Sequence, residues 1–303
     1  MATALSPSFR KGEGLGTRFF WRAVAYWSYA GDQWNNPMMD LQFAQCSDRG
    51  RVRDHNEDYL GYVQPETPEH ARTHGWLFAL ADGVGGQPQG DVASRIGVES
   101  LLAGFRQAAA GELHAALLTR LVQAANHRIH EAGLAAGRSG AGMATTIVAC
   151  ALRYDRAAVA HVGDSRCYLI RRGHAISLTR DHTLVNEQVR LGLLSGERAP
   201  ESAIRHVLSR ALGVELFVGV EVGEHQVFAD DVLLLCSDGL HNAATAPEIA
   251  RVISASASLE PAAQELVRIA NQRDGSDNIS VQLIRVRSVE RVGMYRGRPY
   301  KLH

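Results

Sequence analysis

Four aspartates sit where short apolar runs begin or end. Asp82 follows WLFALA and opens DGVGG, Asp164 follows AVAHVG and opens DSR, Asp238 follows VLLLCS and opens DGL, and Asp277 stands before Asn278 and ISVQLIRV. Taken singly, an Asp-Gly after a strand is a turn signal. Taken together the four have another consequence. Strands that share a sheet or a sandwich bring their ends to one rim, and carboxylates clustered there repel one another and lose hydration unless a cation pairs with them. Oxygen-only ligands suit hard ions such as Mg2+ and Mn2+, whereas zinc would require His or Cys. Gly83 fits such a centre because a residue without a side chain lets its carbonyl approach an ion, and Gly85 and Gly86 permit a tight loop. Upstream, RDHNED at 53–58 adds the planar guanidinium fork of Arg53, which matches phosphate oxygens, and two further acids, Glu57 and Asp58.

Other phosphate chemistries lack their parts. DGVGG is neither G-x-G-x-x-G nor a P-loop ending in Lys-Ser/Thr, which argues against nucleotide binding. No G-x-S-x-G elbow presents a serine nucleophile, and none of Cys46, Cys150, Cys167 and Cys236 opens a Cys-loop-Arg cradle or forms a C-x-x-C pair. The cysteines read as small buried hydrophobes in a reducing compartment. With 303 residues, 46% of them apolar, and a formal net charge of zero, the composition is that of a soluble globular protein with no basic footprint for nucleic acid. No run approaches the roughly 18 apolar residues of a membrane span. The segment 19–30 imitates a signal peptide after a basic stretch, but Arg22 interrupts its apolar centre, so a cytoplasmic location is expected.

The elements that must position these residues are short strands at 41–47, 59–63, 76–81, 145–152, 157–163, 167–171, 232–237 and 279–286, bounded by Gly, Asp and Arg-Gly turns. The connections between 145–152 and 157–163, and between 157–163 and 167–171, are too short for helical crossovers and predict antiparallel hairpins. Helical periodicity covers about 90–108, 112–133, 246–255 and 260–273. Antiparallel sheets with helices packed outside fit this order. Residues 1–38 lack a steady period and read as a flexible extension or a mis-assigned start, with Met38 or Met39 as the alternative first residue. Residues 39–287 form the expected domain, and 288–303 are a basic tail without a period, expected to be solvated.

The motifs R-x-x-N-E-D at 53–58, DGVGG at 82–86, GMATT at 142–146, VGDSR at 162–166, LTRDHTLV at 178–185, LSRALG at 208–213, SDGL at 237–240 and DN at 277–278 follow one another in a fixed order. In that order they resemble the metal-dependent protein phosphatases of type 2C, in their compact bacterial form. The resemblance implies an α+β fold, a four-layer α-β-β-α sandwich with a dinuclear cleft at one end. It implies two Mn2+ or Mg2+ ions, bridged by Asp82, with the Gly83 carbonyl as a further ligand and Asp238 and Asp277 holding one of them. Glu57 and Asp58 would act through bound water, Asp164 would serve a third, weaker ion, and Arg53 would anchor the phosphate. Residues 182–206 would be the flap beside the cleft. The implied reaction is hydrolysis of phosphoserine and phosphothreonine on proteins by direct attack of a metal-bridging hydroxide, without a phosphoenzyme. The implied partners are phosphoprotein substrates and a eukaryotic-like Ser/Thr kinase whose work a monomeric enzyme reverses. A binding module that has lost catalysis is the rival reading, and the complete set Asp82, Asp238 and Asp277 argues against it.

Three positions depart from the family pattern. Val84 stands where eukaryotic relatives have a His proposed as general acid, Asn242 where an Asp is frequent, and Ala144 where Gly is usual. His55, His161 and His182 lie near motifs and read as hydrogen-bonding structural residues.

Overall fold

The computed structural model describes residues 39–84, 89–136, 143–195, 202, 204–295 and 298–301. The extension 1–38, Gly85, Gly86 and Gly142 lie outside the described residues. Ten strands make two antiparallel five-stranded sheets. One sheet has the order β2 (Asp58–Val63), β3 (Trp76–Asp82), β4 (Ile147–Arg153), β5 (Arg156–Val162) and β8 (Glu221–Gln226). The other runs β1 (Asp40–Asp48), β10 (Ile279–Ser288), β9 (Val232–Cys236), β6 (Arg166–Arg171) and β7 (His174–Ser177).

The central strands are unbroken apolar runs rather than alternating ones, because both of their faces are covered. Between the sheets lie Phe43, Trp76, Phe78, Leu80, Leu233 and Ile284, with the Phe43 and Phe78 rings meeting edge-on at 5.2 Å. The outer face of the first sheet carries α2 (Gly90–Arg106) and α3 (His114–Ala135), which bury Leu101, Phe105, Leu118 and Ile129 against it. On the second sheet lie α5 (Asp238–His241), α6 (Ala246–Ala255) and α7 (Leu259–Arg273), with Leu240, Ile249 and Leu266 inward. Helix, sheet, sheet and helix thus stack as expected. The four cysteines are buried within β1, β4, β6 and β9 and carry no disulfide.

One expected pairing is wrong in an informative way. β4 and β5 form the predicted hairpin, but β5 and β6 do not pair; they belong to different sheets. The chain crosses the sandwich at Gly163-Asp164-Ser165, and Gly163 sits at φ +104, where a side chain is strained. A Cβ there would lie 2.6 Å from Thr146 Cγ2. Short connections exclude a helical crossover but do not distinguish a turn within a sheet from a step between two sheets. Gly163→Ala is expected to lower stability by about 2–4 kcal/mol. Urea unfolding measures this, and a loss under about 0.5 kcal/mol would mean that the crossing accommodates a side chain.

Sequence periodicity also misses β7 and β8. Both are edge strands with mostly exposed or half-buried residues, so burial imprints little alternation on them. The short helices α1 (Pro68–Thr73) and α4 (Leu184–Arg190), like α5, span too few turns to display a period. Within the basic tail, β11 (Val292–Tyr295) and β12 (Arg298–Lys301) pair as a two-stranded antiparallel ribbon, which no period in the sequence announces.

Candidate metal centre

The rim of the sandwich gathers the acids. Asp82 ends β3 and Asp58 begins β2, and the two are direct partners in the antiparallel ladder, an arrangement of like charges that by itself opposes pairing. Asp164 lies at the step between the sheets, Asp238 opens α5 after β9, and Asp277 immediately precedes β10. Arg53, Asp82, Asp164, Asp238 and Asp277 line one cleft of about 1630 Å³. Asp58 is buried behind this lining, and Glu57 lies close to the start of α2, its Oε1 2.9 Å from where a Cβ on Gly90 would be.

The backbone of Asp82 is held on both sides. Its N–H donates to Thr146 Oγ1 at 3.0 Å, and its carbonyl accepts from Thr145 Oγ1 at 2.7 Å and from the Thr146 N–H at 2.8 Å. Thr146 Oγ1 in turn bonds Ser165 Oγ at 2.7 Å, which ties the Asp82 strand end to the loop that presents Asp164. Gly83 is required by crowding: a Cβ would come within 2.5 Å of the Gly90 backbone and 2.9 Å of the Glu57 carbonyl. Asn278 staples the opposite wall, accepting from the Glu57 N–H at 2.7 Å and donating to the carbonyls of Arg49 (2.9 Å) and His55 (3.0 Å). Asp58 Oδ2 accepts from Ser237 Oγ at 2.9 Å. Asn242, the neutral departure, donates to Asp238 Oδ2 at 3.2 Å and so orients the carboxylate instead of adding charge.

These supports leave specific oxygens without partners. Asp58 Oδ1 and Asp238 Oδ1 are buried and accept no hydrogen bond, a costly state for an ionised carboxylate. The electrostatics agree. Burial, then the charges of Asp58, Asp238, Asp164 and Asp277, push the Asp82 carboxyl well above its ordinary value. Burial, then Asp164, Asp277 and Asp58, do the same to Asp238. Burial raises Asp58 to about 6 against the opposing hydrogen bonds of Ser280 and Ser237, and burial together with Asp181 raises Asp164 to about 7. Buried orphan oxygens, mutual repulsion and an all-oxygen donor set fit hard divalent cations.

The only cation touching this acid cluster among the described ion pairs is Arg53, whose Nη2 lies 2.9 Å from Asp277 Oδ2, both side chains about one third exposed. Desolvation opposes its charge, but Asp277 outweighs this and holds the guanidinium above its usual value. Arg166 faces the cleft yet is engaged bidentately by Asp181 at 2.8 and 2.7 Å. His241 also lines the cleft; burial lowers it to about 4, so it is neutral, with Nε2 donating to the Asp164 carbonyl at 3.0 Å.

His161, His182 and Glu221 form a second group with metal-ligand spacing among the described residues. The hydrogen bonds oppose an ion there. His182 Nδ1 accepts from the Gly163 N–H at 3.2 Å, which leaves the imidazole proton on Nε2, facing Glu221 Oε2 at 3.2 Å. An ion on Nε2 would leave neither nitrogen protonated. The His161 and His182 rings stack at 4.7 Å and His161 Nε2 meets the Arg180 carbonyl at 2.8 Å, so both rings join the segment after β7 to the β5 end.

No sequence pattern marks Thr145, Thr146, Ser165, Ser237 or Ser280. Each lies inside or near one of the motifs, but a buried hydroxyl that orients a carboxylate has no periodic signature.

Comparison with known proteins agrees with this arrangement. The model of the protein phosphatase 2C family matches residues 51–283. The serine/threonine phosphatase stp of Listeria innocua is 35% identical over 258 residues, 83% of this chain and 96% of its own length. The serine/threonine phosphatase of S. agalactiae superposes with a TM-score of 0.74 at 32% identity, over 82% of this chain and all of that one. The catalytic domain of the phosphatase PstP, solved in complex with 2 manganese ions, superposes with a TM-score of 0.70 at 31% identity, over 83% of this chain and all of that domain. A sandwich with its acids at one rim, matched by a family model over most of its length and by relatives of equal extent, identifies the chain as a member of the protein phosphatase 2C family.

Proposed function

We propose that this protein hydrolyses phosphoserine and phosphothreonine on other proteins, using two Mn2+ or Mg2+ ions held at the rim of the sandwich. The observation that carries this is the set of buried carboxylates with orphaned oxygens, Asp58 Oδ1 and Asp238 Oδ1, around Asp82 in an open cleft. Asp82, the Gly83 carbonyl, Asp238 and Asp277 would hold the ions directly, Glu57 and Asp58 through water, and Asp164 a third and weaker one. Bound there, such ions lower the pKa of water and neutralise charge on phosphoryl oxygens. The protein's own share is placement. Thr145 and Thr146 fix the Asp82 backbone, Ser237 and Asn242 turn the Asp58 and Asp238 carboxylates, and Arg53 offers a guanidinium at the mouth. With Val84 apolar and His241 neutral, the leaving-group proton would come from water or from another group.

The same reading makes a cognate Ser/Thr kinase the opposing enzyme, the monomer the working unit and the cytoplasm its location; no helix among the described residues is long and apolar enough to cross a membrane. Hydrolysis of a phosphothreonine peptide with Mn2+, with and without chelator, tests the central claim: turnover undiminished by chelation would overturn it. Arg53→Ala is expected to lower kcat/KM on that peptide about 10–100-fold, mainly through KM, because a fixed bidentate donor to phosphate is lost. Steady-state kinetics decide this. An unchanged KM with reduced Mn2+ affinity would instead make Arg53 a partner of Asp277 alone.

A further inference from the structure

Residues 214–219, which no motif accounts for, form one wall of the cleft that holds Asp82 and Asp238. Their backbone is gripped by α3. The buried Asn126 donates through Nδ2 to the carbonyls of Glu215 (2.9 Å) and Leu216 (3.0 Å) and accepts through Oδ1 from the Gly213 N–H (2.8 Å). Gln123 donates to the Leu216 carbonyl at 3.1 Å and accepts from the Val218 N–H at 3.4 Å. A loop that needed only to connect would not require a fully buried amide to fix it. What it presents is not packed: Phe217 is 73% exposed and yet lines the cleft. Val207, directly after the expected flap 182–206 and 44% exposed, lines the same cleft, its backbone held by hydrogen bonds from Leu184 and to Ile204. An aromatic ring carried on a fixed backbone, with only two torsions of its own to lose, binds an apolar group at low entropic cost.

The occupant follows from continuity with the acid cluster. A phosphoryl group seated at Asp82, Asp238 and Asp277 belongs to a residue whose chain neighbours must pass over the cleft walls, and about 1630 Å³ is far more than one phosphate fills. The geometry points to Phe217, with Val207, as a docking surface for an apolar side chain that flanks the phosphorylated residue of a protein substrate. This rests on the phosphatase reading above.

The test uses the Mn2+-loaded full chain, a set of phosphothreonine peptides in which one Leu is moved through the flanking positions of a polar sequence, and p-nitrophenyl phosphate. The wild type is expected to favour at least one Leu register over the all-polar peptide by about tenfold in kcat/KM, the discrimination a small apolar contact provides. Phe217→Ala is expected to bring that ratio close to one and to lower the ratio of peptide to p-nitrophenyl phosphate turnover about tenfold, whereas Phe217→Leu retains part of both. A register preference that survives Phe217→Ala, or no preference in the wild type, overturns the docking surface. So would sedimentation showing a wild-type dimer that Phe217→Ala dissolves, since the ring would then serve a second copy. Failure of the wild type on every peptide and on p-nitrophenyl phosphate alike would instead defeat the phosphatase reading itself.

Discussion

Asp82→Asn is expected to lower Mn2+-dependent turnover of a phosphothreonine peptide by about 10³-fold or more, and at the same time to make the metal-free protein more stable. The two effects share one cause. Asp82 stands opposite Asp58 in the ladder and within the fields of Asp238, Asp164 and Asp277, and these charges with burial hold its carboxyl well above the ordinary range. Replacing the carboxylate by an amide removes the central charge proposed to hold the ions, so catalysis that depends on preorganised electrostatics would collapse. It also removes the charge that the empty cluster most resists, so the melting temperature in EDTA rises. The backbone supports at Thr145 and Thr146 do not involve the side chain and stay in place. Peptide hydrolysis and calorimetry on the same preparation separate this outcome from misfolding. Residual activity within about tenfold of wild type would remove Asp82 from the centre, and a lowered melting temperature in EDTA would show that the cluster is not strained by its own charge.

The metal-free protein is expected to lose stability as pH rises, the reverse of ordinary acid denaturation. Asp58 and Asp164 have their folded-state values raised from 3.8 to about 6 and about 7, the first through burial and the second through burial and Asp181. Between the unfolded and folded values the native state binds more protons than the unfolded chain, so the stability of unfolding has a negative slope in pH. The contribution is complete below about pH 4 and is lost as pH passes through about 6 to 7. In EDTA the melting temperature is expected to fall by about 5–10 °C between roughly pH 5 and pH 8. Saturating Mn2+ should act in the opposite direction, because ligands must be deprotonated to bind, so its stabilisation is larger at the higher pH. Differential scanning calorimetry at both pH values, with chelator and with Mn2+, gives the comparison. A flat profile in EDTA would mean that these carboxylates titrate as exposed ones do.

How much of this was legible in the chain is clearest from particular elements. The strands β3, β4, β9 and β10 and the helices α2, α3, α6 and α7 lie where apolar runs and helical periods predict them, within a few residues, because burial on two faces or along one stripe is imposed directly on residue type. The edge strands β7 and β8 were invisible for the complementary reason: one side of each meets solvent and few of their residues are buried. The ribbon at 292–301 likewise pairs locally without a period to announce it. For the site, the aspartates at strand ends were readable because four acids adjoining apolar runs have no ordinary explanation in common. The hydroxyls of Thr146, Ser165 and Ser237 that hold them were not, since their role exists only across distances in sequence that no local pattern encodes.

The sequence by itself determined that Asp82, Asp238, Asp277, Asp58 and Asp164 can offer only oxygen, a donor type that suits hard ions whatever the fold. It also determined the alternation of core strands and covering helices. Only the tertiary structure decided that β5 and β6 separate into different sheets at Gly163, and thereby that Asp164 joins the rim instead of sitting in a hairpin turn. It alone decided that Asp58 faces Asp82 across a ladder, that two carboxylate oxygens are buried without partners, and that Phe217 lines the cleft from a loop whose backbone Asn126 holds. The physical reason is common to all of these. Residue type fixes what a group can bind, whereas the free energy of a buried charge depends on which other groups long-range packing brings within a few ångströms.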